Sequence, residues 1–264
     1  MTTLTWEDRH DLAKRFAPYL VLFPENKRLA RPGKEVDQIG DYHPRSLQLL
    51  LADGRLYPGT LRALFSLKLA WLFDHKSRPI ATPDRLAAHK YDDYYQIRLL
   101  GPAVPQPDHA WRRYFELLDP ERYPHTIYAH VQTRTEAVAA AEREVKDYDQ
   151  HRTQIGQPFY SDRSQADDDV CIQYWFCYYF DDWANVHEGD WEGISIFLQR
   201  DDSSQCKYRP IGATYYEHEG GSRRHWENVL QVNGDHPLVF VAAGSHASYF
   251  AYQPKGYAAP VQSP

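Results

Sequence analysis

Residues 174–198, YWFCYYFDDWANVHEGDWEGISIFL, constrain the fold more than any other stretch of this 264-residue chain. Two apolar runs flank a short polar loop, the pattern of two β-strands joined as a hairpin. On the second run, Glu192, Ile194, Ile196 and Leu198 fall on one face of a pleated strand. Trp191, Gly193, Ser195 and Phe197 fall on the other. Asp190 continues the face of Glu192, so two carboxylates share an aliphatic, core-type row. An ionised carboxylate buried without a partner costs several kcal/mol or stays protonated. A compensating group is therefore expected, and a divalent cation held together with His187 is the most economical one.

His187, Asp190 and Glu192 supply an imidazole and two carboxylates within six residues. Asp181 and Asp182 end the preceding run, and hairpin geometry brings that end beside the motif. Nitrogen and oxygen donors of this kind suit magnesium, calcium or manganese and tolerate zinc or iron. The candidate donors are His187, Asp190 and Glu192, with Asp181 and Asp182 just upstream. The blander reading is a solvated loop whose carboxylates never dehydrate. His246 follows Gly244 and Ser245 at the end of an apolar run. Its imidazole titrates near neutrality and suits acid–base chemistry, metal ligation or a bond to a carbonyl. His225 and Glu227, two apart on an expected strand, form a weaker pair, with His225 a second catalytic candidate. Other chemistries are excluded. The run from Gly244 to Ser248 is not a nucleophile elbow, there is no H-E-x-x-H zinc helix, and no glycine-rich phosphate loop is present.

Aromatic residues make up 14 % of the chain, including 20 Tyr and 7 Trp, which favours strands. A formal net charge of -6 leaves no basic field for a nucleic-acid backbone. Cys171, Cys177 and Cys206 form no C-x-x-C pair and are odd in number. Buried free thiols fit better than a zinc ribbon or a disulfide scaffold. The amino terminus carries charges and no apolar signal core, and the run from Leu61 to Phe73 is broken by Arg62 and Lys68. A cytoplasmic protein with no transmembrane segment is the expectation.

Thr5 to Asp8 and Thr133 to Glu136 have the form of capping boxes, which start helices. Helices are predicted over about 5–16, 60–74 and 135–148. Strands are predicted over 19–23, 94–99, 126–133, 172–180, 207–216, 225–231 and 238–242, with a turn over 218–224. Residues 46–52 fit helix or strand equally. The whole reads as one mainly β domain over 1–264, a jelly-roll-like β-sandwich with helices inserted mostly in the first half.

The run from Tyr174 to Leu198, the segment YAHV at Tyr128, HPLVFVAAGSHASYF from His236 and the early FAPYLVLFPE resemble the vacuolar protein sorting-associated protein 62 family. More distantly, the Asp-Trp-Glu at 190–192 resembles the heptapeptide core of the necrosis- and ethylene-inducing-like cytolysins. That likeness implies a β-sandwich holding a divalent cation through His187, Asp190 and Glu192, with Asp181 or Asp182 as the fourth ligand. The first implies that His246 faces the same cleft. Two departures stand against a toxin: Gly189 replaces the cytolysins' second histidine, and their secretion signal and disulfides are missing.

Two functions follow as expectations. The first is an intracellular divalent-metal-dependent enzyme, a hydrolase or lyase acting on a small-molecule or glycan substrate, with His246 moving a proton. The alternative is a metal-organised glycan- or lipid-binding module without catalysis, whose Tyr and Trp supply stacking faces.

Overall fold

The computed structural model describes residues 4–22, 43–53, 55–58, 78–79, 95–98, 121–137, 139, 168–181, 187–217 and 220–252, with the backbone alone at 51–53, 55–58, 78–79, 95–98 and His187. The expected helix over 60–74, most of that over 135–148, and Asp182 lie outside these residues. The described part is mainly β, with few helices.

A sheet of five antiparallel strands is organised around the hairpin. In order across the sheet it runs β5 (Ile127–Thr133), β6 (Val170–Asp181), β7 (His187–Arg200), β8 (Tyr208–Glu217) and β9 (Gly220–His225). Strands β6 and β7 pair almost along their whole length, from Val170 opposite Leu198 to Asp181 opposite His187. The expected alternation on β7 is observed in part: the inner row is buried throughout, but Gly193 and Ser195 of the outer row are buried as well. Glu192, Ile194, Ile196 and Leu198 are buried, whereas Trp191 is exposed. Their partners Phe176, Tyr174, Ile172 and Val170 complete the same inner face and are buried too.

A second sheet lies against this face. It joins β1 (Tyr19–Leu22) in parallel to β11 (His236–Val241), which also pairs with β10 (Gln231–Val232) and β12 (Ser248–Tyr249). Val239 and Val241 share one core cluster with Ile194, Ile196 and Tyr215 of the first sheet. The Tyr215 hydroxyl donates across the gap to the Leu238 carbonyl at 3.1 Å. A small third sheet orders β3 (Arg78–Pro79), β2 (Arg55–Pro58) and β4 (Tyr95–Arg98).

Helix α1 (Trp6–Arg15) starts at the expected capping box, with Thr5 and Asp8 bonding reciprocally. It inserts Leu12 into the core, Phe16 follows from its C-cap, and the Ala13 carbonyl accepts from the Tyr174 hydroxyl at 2.8 Å. The second box holds as well: the Glu136 carboxylate accepts from the Thr133 amide at 2.8 Å and the Thr133 hydroxyl from the Glu136 amide at 3.3 Å. Arg9 ties the two helix starts together by a two-pronged bond to Glu136. The ambiguous segment resolves as helix α2 (Gln48–Asp53).

Two expectations are corrected. The stretch 218–224, read as a turn, contributes to the edge strand β9, whose residues are exposed apart from half-buried Ser222 and show no apolar alternation. Backbone pairing to β8 holds it, and Gly221 is needed there, because a Cβ would come within 2.9 Å of the Tyr215 carbonyl. The stretch 225–231, read as a strand, is instead a 3-10 turn (Trp226–Asn228) leading to β10. Its buried residues, Trp226 and Val229, are three apart, a spacing that suits a helical turn and not a pleat.

Candidate functional site: a buried histidine–carboxylate cluster

The cluster forms at the end of the inner face nearest the β6–β7 loop. Asp190 and Glu192 point inward from β7, 6 % and 5 % exposed. Opposite Asp190 on β6 stands Tyr178, fully buried. The turn between β11 and β12 delivers His246 onto both. Its Nδ1 lies 3.0 Å from Asp190 Oδ2, and its ring stacks on Tyr178 with centroids 4.1 Å apart and planes 8° from parallel.

The turn achieves this by two left-handed residues, Gly244 (φ 83°) and His246 (φ 55°). Glycine takes that conformation freely; histidine does so at a cost of about 1 kcal/mol or more, and such residues gather at functional sites. The His246 amide donates to the Ala242 carbonyl at 3.1 Å and the Ala242 amide to the Ala247 carbonyl at 3.0 Å, which locks the turn. A carboxylate accepts and an imidazole N–H donates, so an ionised Asp190 would hold a His246 proton on Nδ1.

The neighbourhood is buried and acidic. Burial pushes the Glu192 carboxyl up to about 9, helped by the charge of Asp190 and further by Asp181 and Glu217, against a lowering pull from His246. Burial, then Asp190, pushes the Cys177 thiol up to about 12. Asp181 closes the end of β6 and is fully buried.

Of the expected ligands, Asp190 and Glu192 are thus brought to one place. The backbone of His187 is paired with Asp181, while its side chain and all of Asp182 lie outside the described residues. Among the described residues, no group of three or more His, Cys, Asp or Glu is arranged to hold a metal ion. His246 joins the cluster. His225 does not: it is exposed on the edge strand, opposite Gly212, which itself pairs with Phe197. Five positions along β7 separate Phe197 from Glu192, about 17 Å at strand spacing. Glu227 is exposed on the 3-10 turn. Tyr178 was not a candidate from the sequence; once Asp181 is set opposite His187, counting back along the hairpin puts it opposite Asp190.

No family model matches the chain, and no curated protein matches it. Two solved structures show a distant, partial likeness. Necrosis and Ethylene inducing Protein 2 from the causal agent of cocoa's Witches Broom disease aligns at 20 % identity and a TM-score of 0.26, over 31 % of this chain and 40 % of that one. The non-toxic HaNLP3 protein aligns at 18 % identity and a TM-score of 0.24, over 29 % and 36 %. The alignments thus span well under half of either structure.

Proposed function

We propose that this chain is an intracellular, divalent-cation-dependent enzyme of the hydrolase or lyase type, acting on a small-molecule or glycan substrate. The observation that carries the reading is the burial of Asp190 and Glu192 on one inward row beside His246. Desolvation and the charge of Asp190 raise the Glu192 carboxyl to about 9, and a bound divalent cation would favour its ionised form. His187, Asp190 and Glu192 of β7, with Asp182, would hold the ion; magnesium or calcium suits these donors best, with manganese, zinc or iron tolerated. Bound there, a divalent cation polarises a substrate oxygen or acidifies a water. Asp190 orients the His246 ring and Tyr178 holds it flat, so that Nε2 can take or return a proton. We read the two large sheets as the faces of a jelly-roll-like sandwich. Kinship with the vacuolar protein sorting-associated protein 62 family rests on the sequence motifs.

The alternative is a metal-organised glycan- or lipid-binding module without catalysis. The low exposure of Asp190, Glu192 and His246 favours it, because a substrate must reach a catalytic group. Calorimetric titration of chelator-stripped protein with magnesium, calcium, manganese and zinc tests the common premise, and Glu192→Gln should weaken binding at least about tenfold. In a hydrolase and lyase screen, His246→Ala should lower turnover at least about a hundredfold while still binding the ion. Stripped protein that binds none of the four ions overturns both readings. Binding without turnover leaves the module.

A further inference from the structure

On the opposite, outer face of the five-stranded sheet, cross-strand register sets two neighbouring rows of contrasting chemistry. The first is aromatic. Tyr128 on β5 pairs with Trp175 on β6, which pairs with Gly193 on β7, and Tyr216 on β8 pairs with Gly221 on β9. The Trp175 and Tyr216 rings meet beside Gly193, 5.5 Å apart and 35° from parallel. A Cβ on Gly193 would come within 3.3 Å of Trp175 Cε3 and 3.4 Å of Tyr216 Cδ2, and one on Gly221 within 3.6 Å of Tyr216 Cδ1. The two glycines therefore form a floor on which the rings lie down over the strands. Trp191, two residues before Gly193 and 41 % exposed, extends the row with its ring 5.8 Å from that of Tyr128.

The second row is polar. His130, Gln173, Ser195, Thr214 and Arg223 stand side by side on successive strands, with Ser195 itself buried. His130 Nδ1 lies 3.3 Å from Gln173 Oε1, and the Ser195 hydroxyl bonds that of Tyr216, linking the two rows. Among the described residues neither row carries a carboxylate.

We propose that this face binds an oligosaccharide. A pyranose ring has an apolar face of C–H bonds and a rim of hydroxyls. Flat-lying aromatic rings take the first, and a parallel line of amide, imidazole and hydroxyl groups takes the second. From β5 to β8 the aromatic row crosses three strand spacings, about 14 Å, enough for a short chain of sugars. The rows carry no acidic group to attract a cationic ligand, Arg223 at the β9 end of the polar row is one more hydrogen-bond donor for sugar hydroxyls, and a purely apolar partner would leave that row unused. This site is on the other side of the sheet from the histidine–carboxylate cluster and stands independently of it.

The test is intrinsic tryptophan fluorescence, with indole N–H shifts by NMR, on the full chain titrated with cellohexaose, xylohexaose, laminarihexaose and mannohexaose. At least one should bind saturably in the micromolar to millimolar range and perturb Trp175 and Trp191. Trp191→Ala, an exposed change, and Tyr216→Ala should each weaken binding at least about tenfold, whereas Leu230→Ala, an exposed change outside both rows, should bind as the parent does. Binding by none of the four sugars overturns the proposal. So does self-association in sedimentation velocity that Trp191→Ala abolishes, since the face would then be a contact between copies.

Discussion

His246 shows how much a single residue can concentrate. It combines a left-handed backbone, near-complete burial, a carboxylate bond and a parallel aromatic stack. Its neighbour Glu192 yields the clearest residue-scale prediction. Its carboxyl is raised from 4.5 to about 9 on folding, so between those values the folded chain binds this proton more tightly than the unfolded chain. Ionisation then opposes folding. The contribution is fully present below about pH 4.5 and is lost as pH rises toward 9, with a slope of at most about 1.4 kcal/mol per pH unit. Asp8 and Glu136, whose carboxyls are held low by bonds to Thr5 and Arg9, lose their contributions in acid, outside this window. In cation-free protein, denaturant titrations at pH 5, 7 and 9 should show parent stability falling relative to Glu192→Gln. Equal curves would mean that Glu192 is solvated. Saturating cation should flatten the difference, because the ionised form is the ligand.

At the scale of elements, β7 is the strand on which both faces of the sheet depend. Its inner residues build the core and carry the acidic pair, and its outer residues carry Trp191 and the glycine between two rings. Gly193→Ala would place a Cβ 2.4 Å from the Tyr174 carbonyl oxygen, backbone that cannot give way without disturbing the β6–β7 ladder. A loss of about 2 kcal/mol or more is expected, seen as a lower denaturant midpoint with an unchanged slope. A midpoint within error of the parent would show that the strands separate there at little cost. The helix starts, both capping boxes and the main strands were legible because caps and alternation are local signals. The edge strand β9 was not, since paired backbone alone defines it.

For the whole molecule, the two large sheets cohere through one cluster of buried side chains. Tyr215 spans them, its ring stacked 3.7 Å from that of Phe250 and its hydroxyl bonded to Leu238. Tyr215→Phe should cost about 1 kcal/mol, the worth of one buried hydrogen bond. Tyr215→Ala should cost about 3 to 5 kcal/mol through the cavity it leaves. A separate early melting phase in either variant, followed by near-UV circular dichroism, would show that the sheets do not unfold as a unit.

Alternation along a strand and the reciprocal bonds of a capping box act between residues a few positions apart. The mainly β character, the inward row of Asp190 and Glu192 and the first helix were therefore present in the sequence by itself. The meeting of His246 with Asp190 spans 56 residues, and the Tyr178 stack spans two strands and a turn. No local pattern encodes such distances. Only strand register and the handedness of the β11–β12 turn decided them, and the same register set an aromatic row beside a polar one on the outer face.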